Sequence, residues 1–183
     1  AFGSRVLDKS EPKYMNSSET PVYSKRRVLY GLNLAKKSKR PNIILCEGNL
    51  DIVTLHQAGF DNAVASMGTA LTVEQTRLLS RFTKELILCY DNDNAGKIAT
   101  ERALQILNGS EFSVKVLPLP RRLVDGEYIK QDADDFIKLQ GPDAFERLLN
   151  GSENGVEFRM AQIAGKYDLK DDEARIAYCG EVS

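Results

Sequence analysis

The chain has 183 residues, 42% hydrophobic and 28% charged, with a formal net charge of −1. That length and balance allow one sizeable core with a small appended module, and they exclude disordered and fibrous classes. No stretch approaches the roughly 20 apolar residues of a membrane helix, and no signal-peptide pattern opens the chain, so a soluble intracellular protein is expected.

The opening, Ala1 to Leu7, reads as a strand entered partway through and lacks an initiator methionine, as in a piece of a longer protein. Lys13 to Ser24 is polar and turn-rich, with Pro12 and Pro21 as punctuation. Val28, Leu29, Leu32 and Leu34 then recur at helical spacing, which predicts a basic amphipathic helix over Lys25 to Lys37. The first forty residues hold ten Lys and Arg against Asp8, Glu11 and Glu19, a local charge of +7 that leaves −8 on the remainder. A basic arm for polyanions on an acidic body is one reading, and a solvated basic linker is the other.

From Asn42 short apolar strands alternate with helical patterns, the signature of βαβ units and a parallel sheet. Strands are expected at Ile43 to Cys46, Ala63 to Ser66, Leu86 to Tyr90 and Val114 to Leu117. Helices are expected from Leu50 to Ala58, after Thr72 with Gln75 at capping-box spacing, and from Ala95 to Leu107. Arg121 to Gln131 reads as an exposed loop. Beyond it Asp134–Leu139, Pro142–Leu149, Val156–Tyr167 and Asp171–Cys179 are helical, with Gly141, Gly151, Gly155 and Gly180 as breaks.

Two acidic strings follow two of these strands. Glu47-Gly48-Asn49-Leu50-Asp51 comes after the first, and Asp91-Asn92-Asp93 after the third. Carboxyl ends of parallel strands share the edge where ligands bind, so both strings should face one crevice. Unit charges roughly 4 Å apart repel by about 4 kcal/mol at an effective dielectric near 20, and a divalent cation relieves that. Gly48 lets the backbone turn so that Glu47 projects into the crevice. Asp51 either joins the cation site or simply caps the next helix. Asp91 and Asp93 alternate across Asn92 and so point the same way in an extended segment.

A third cluster, Asp132, Asp134 and Asp135, precedes a helical pattern, where N-capping accounts for any one of them and a second cation site for two. Ser66-Met67-Gly68-Thr69 is either a phosphate-cradling turn or an ordinary strand-to-helix turn. His56, the sole histidine, falls inside a helix and reads as structural. Cys46, Cys89 and Cys179 show no C-x-x-C pairing, and the two in strands read as small core residues.

Taken together, Glu47-Gly48-Asn49-Leu50-Asp51, Ala65-Ser66-Met67-Gly68-Thr69 and Asp91-Asn92-Asp93-Asn94-Ala95-Gly96 resemble the Toprim module of primases, topoisomerases and certain nucleases. Pro12 to Thr20, Leu29-Tyr30-Gly31-Leu32 and Leu55-His56-Gln57-Ala58-Gly59 narrow the similarity to the bacterial replicative primases of the DnaG type, from Ala1 to about Leu149. The resemblance implies an α/β Toprim-like parallel sheet flanked by helices. It divides the chain into a basic segment at 1–40, a Toprim domain at 41–130 and a small helical subdomain at 131–183.

The implied activity is RNA primer synthesis on a single-stranded DNA template from ribonucleoside triphosphates, by two-metal nucleotidyl transfer with Mg²⁺, for which Mn²⁺ substitutes. Glu47, Asp91 and Asp93 match the family's principal catalytic and metal carboxylates. Asp51, Asp132 and Asp134 match further acidic positions, and Lys13, Asn16 and Lys25 match nucleotide or nucleic-acid contacts. Zinc and a replicative helicase would engage other domains of such a primase, and the fragment alone is expected to prime weakly. Where the family has Tyr-Met and Gly, this chain has Asn49-Leu50 and Asn92, and its segment from Pro120 to Lys130 is longer than usual. The competing readings are a Toprim nuclease or topoisomerase fragment and a noncatalytic nucleic-acid-binding module.

Overall fold

The computed structural model describes residues 2–6, 14–66, 70–124 and 126–182. An antiparallel pair, β1 (Gly3–Arg5) and β2 (Tyr14–Asn16), precedes the short helix α1 (Leu32–Ala35). Next come β3 (Asn42–Cys46), α2 (Asn49–Gln57), β4 (Ala63–Ala65), α3 (Val73–Leu79) and β5 (Glu85–Leu88). They are followed by α4 (Asn94–Leu107) and β6 (Ser113–Val116). A hairpin of β7 (Arg122–Val124) and β8 (Glu127–Ile129) leads to α5 (Ala133–Gln140) and α6 (Pro142–Asn150). The chain continues through β9 (Glu153–Asn154), α7 (Gly155–Ala164) and α8 (Asp172–Val182).

The main sheet has the order β4-β3-β5-β6-β9; its first four strands are parallel and β9 runs antiparallel to β6. Both faces are covered, which is why the central strands are nearly continuous apolar runs. On one face Ile44, Cys46, Ile87 and Cys89 pack with Ile52 and Leu55 of α2, Phe136 of α5 and Phe145 of α6. On the other Ile43, Leu45, Leu86 and Leu88 pack with Ala35 of α1, Leu79 of α3, Ala103 of α4 and Phe158 of α7. The period-two alternation along β3 and β5 thus sorts the helices into two layers. Phe60 and Phe145 meet edge-on with ring centroids 4.9 Å apart, and the Arg40 guanidinium lies over Phe60 while gripping Glu146 at 3.1 and 2.9 Å. Cys46 and Cys89 are buried as expected, and the His56 ring nitrogen sits 2.9 Å from the Ala63 carbonyl, a structural contact.

Two sequence expectations need correction. Only Leu32–Ala35 of the expected 25–37 helix is helical. Gly31 adopts φ 81°, a left-handed conformation that breaks a right-handed helix, and Tyr30 instead exchanges backbone hydrogen bonds with Ala65 along the β4 edge at 2.9 and 3.0 Å. The segment expected as a loop over 121–131 contains the β7–β8 hairpin, which turns at Gly126 with φ 85°. The short strand β9 was also absent from the sequence reading.

Candidate active site

Strands β3 and β5 are neighbours, with Leu45 paired to Leu88, so their exits lie side by side on the carboxyl edge. From β3 the chain crosses to β4 on one side, and β5 then returns on the other, with α2 on one face and α4 on the opposite one. The crevice between these two exits is the switch point of the sheet, where ligand sites of open α/β folds form. Glu47 leaves β3 into it and Asp91 leaves β5 into it.

Glu47 is half-buried, and its Oε1 has no hydrogen-bond partner. Desolvation first, and the Asp91 charge second, push its carboxyl above the ordinary value, against a hydrogen bond from the Asp91 backbone N–H. It also lines a cavity of about 240 Å³ shared with Ser66, Ala70, Tyr90, Ala95 and Arg102. Asp91 is likewise pushed up, first by desolvation and further by the charges of Asp132 and Asp93, while Lys130 pulls it down.

Asp93 caps α4, accepting a hydrogen bond from the Gly96 N–H at 2.9 Å, and that bond chiefly holds its carboxyl below the ordinary value. Gly96 cannot be replaced, because a Cβ there would lie 1.9 Å from the Asp91 carbonyl oxygen. The first turn of α4 is thereby pressed against the Asp91 backbone. Asn92 donates its side-chain N–H to the Leu119 carbonyl and pins this loop to the exit of β6.

Asp51 is engaged with two backbone amides at the rim of this site. It is buried, accepts the Gly48 N–H at 3.2 Å and the Asp134 N–H at 3.1 Å, and so joins the start of α2 to the start of α5. Desolvation, followed by the Asp132 charge, pushes its carboxyl up to about 7. Asp132 caps α5 through the Asp135 N–H at 2.8 Å. Burial works against Asp134, yet hydrogen bonds from Lys138 and Thr54 outweigh it and hold its carboxyl below the ordinary value. Carboxylate oxygens of Asp132, Asp134 and Asp135 lie within 4.8 Å of one another.

The basic segment docks beside this edge. Gln75, fully buried, reciprocates the Thr72 cap of α3 and donates its amide to the carbonyls of Lys25 at 3.1 Å and Val28 at 2.9 Å. A Cβ on Gly3 would meet Asn16 Oδ1 at 3.0 Å and Asn49 Nδ2 at 3.8 Å, so the β1–β2 pair lies against the first turn of α2. Lys13 and Met67-Gly68-Thr69 fall outside the described residues.

Sequence reasoning missed Lys130. Its Nζ lies 3.1 Å from Asp93 Oδ2 and 3.4 Å from Asp91 Oδ2, delivered there by the β7–β8 hairpin. The signal was Asp125-Gly126, a hairpin dipeptide between β-branched and aromatic residues.

The donor set is all oxygen, a match for a hard divalent cation, while the sulfurs of Cys46 and Cys89 face the core. The unpartnered Glu47 oxygen and the ammonium already held between Asp91 and Asp93 both mark a place for positive charge. The geometry defines a strand-tip acidic site on a sheet of Toprim type.

The Toprim-like family model matches residues 44–137, and a model of the DNA primase catalytic core's N-terminal domain matches residues 1–36. The chain belongs to the Toprim-like family. Its sequence relatives include the DNA primase of Clostridium acetobutylicum, 41% identical over all of this chain and 29% of the relative. The DNA primase of Enterococcus faecalis is 35% identical over the same shares. A DNA primase domain from Pseudomonas aeruginosa superposes with a TM-score of 0.81 at 34% identity, covering 96% of this chain and 54% of that one. The RNA polymerase domain of Mycobacterium tuberculosis primase DnaG in complex with a DNA oligomer superposes with a TM-score of 0.75 at 32% identity, covering 98% and 57%. The likeness to the Toprim-containing part of the DnaG-type catalytic core therefore holds along the whole chain, which spans under a third of the length of these curated relatives.

Proposed function

We propose that this chain serves RNA primer synthesis on single-stranded DNA, as the cation-holding part of a primase catalytic core. The reaction joins the 3′-hydroxyl oxygen of a growing primer to the α-phosphorus of a ribonucleoside triphosphate and expels pyrophosphate. Glu47, Asp91 and Asp93 would hold Mg²⁺, with Asp132 and Asp134 offering a second set of oxygens and Asp51 fixing the α2–α5 junction between them. Bound there, the cations would stabilise the charge that develops on the leaving pyrophosphate. The unpartnered oxygen of Glu47, a carboxyl that desolvation and then the Asp91 charge push up, is the observation that carries this reading.

The remaining residues bind and orient. Lys25 and Asn16, on the segment docked beside the crevice, would meet template or nucleotide phosphates, and Lys13 joins them by sequence position. Structural relatives described with bound DNA support a nucleic-acid partner. Calorimetric titration with Mn²⁺ tests the reading: the parent chain should bind, and Glu47→Gln and Asp91→Asn should abolish binding while each stays folded. Full Mn²⁺ affinity in both variants would refute it.

A further inference from the structure

The β7–β8 hairpin is exposed and packs chiefly on itself, with Leu123, Tyr128 and Ile129 all open to solvent. Nothing in its own packing requires it to lean over the strand tips. Yet the residue that directly follows β8, Lys130, reaches across to the crevice and pairs with two carboxylates from the β5 exit. The Lys130 ammonium is itself largely exposed, at 62% of its side chain, so the contact is held by charge and not by burial. Its position between Asp91 Oδ2 and Asp93 Oδ2 is one that a hard cation would also take.

Two positive charges cannot both sit there at low cost. Resting on the cation-holding role proposed above, we infer that Lys130 is a tethered counter-cation. It neutralises Asp91 and Asp93 before metal arrives, yields those carboxylates to a divalent cation, and then pairs with the phosphates of the incoming triphosphate. A thinly packed hairpin suits such a residue, since local rearrangement there opens little apolar contact. Lys130 directly follows β8, so the hairpin is what carries the ammonium to the strand tips.

The test compares the parent chain with Lys130→Ala and Lys130→Arg by Mn²⁺ titration without nucleotide, then by ATP titration at saturating Mn²⁺. Removing an exposed competing charge should tighten Mn²⁺ binding roughly 3- to 10-fold in Lys130→Ala and leave Lys130→Arg near the parent. ATP affinity should fall by a similar factor in Lys130→Ala and recover in Lys130→Arg. A residue that merely steadied the fold would weaken Mn²⁺ binding when removed, never tighten it. Equal or weaker Mn²⁺ binding by Lys130→Ala overturns the inference alone, as does unchanged ATP affinity. Failure of Mn²⁺ to bind even the parent overturns it together with the metal reading.

Discussion

Glu47, Asp91 and Asp51 are all held above their ordinary titration range, each first by desolvation and then by neighbouring carboxylates, which means that the folded chain maintains poorly hydrated negative charge at one edge. Function at the expense of stability is the expected relation. Glu47→Gln should therefore raise the melting temperature of the metal-free chain at neutral pH while removing Mn²⁺ binding, and a fall in melting temperature would contradict this cost of burying charge.

Asp51 makes the pH dependence explicit. Its carboxyl titrates at about 7 in the folded chain, and near 3.9 when unfolded. Between those values the unfolded chain releases a proton that the folded chain keeps. The group's contribution to stability is thus fully present below about pH 4 and is lost as pH rises through 7, by up to about 4 kcal/mol. Asp51→Asn should flatten that part of the stability curve relative to the parent, measured by urea denaturation from pH 4 to 8. It should also lower stability at acid pH, because one of its two amide contacts is lost.

At the scale of elements, the sequence was most legible where two faces of a strand are buried. β3 to β6 and their helices lie within a residue or two of expectation, and the Thr72–Gln75 capping box is present. In the expected 25–37 helix, pairing to a neighbour overrode local pattern. Val28 and Leu29 have helical spacing, but Gln75 ties up the carbonyls of Lys25 and Val28, and Tyr30 bridges to Ala65. The β7–β8 hairpin has no buried face and so no alternation to read, and β9 is too short to show any.

For the site, the carboxylates were legible because each follows an apolar strand. Lys130 was not, since its role depends on where a hairpin folds back. Gln75→Ala should cost about 2 to 3 kcal/mol through the lost cap and two orphaned carbonyls, and should speed hydrogen exchange over residues 25–30. Gly96→Ala should be more damaging, since the clash is with backbone, and no comparable loss in a melting experiment would mean that α4 does not press on Asp91 as described.

For the molecule as a whole, the charge division takes on a spatial meaning. The net −1 is the sum of a basic segment on the β4 side and acidic strand tips beside it, although Arg40 is engaged with Glu146 and Arg26 approaches Glu74 at 4.0 Å. No helix among the described residues is long and apolar enough to cross a membrane. A basic flank beside a cation site would give single-stranded DNA binding a slope of about −2 in log affinity against log salt if roughly three phosphates are neutralised. Fluorescence anisotropy over a salt series measures it, and a flat response would remove the nucleic-acid role from the basic segment.

The most direct test is a crystal of this chain soaked with Mn²⁺ and a ribonucleoside triphosphate, read by anomalous scattering. Density for Mn²⁺ within coordinating distance of Glu47 and of Asp91 or Asp93, beside the triphosphate, is the expected result. Density confined to Asp132, Asp134 and Asp135, with the crevice between β3 and β5 still holding only Lys130, would contradict it.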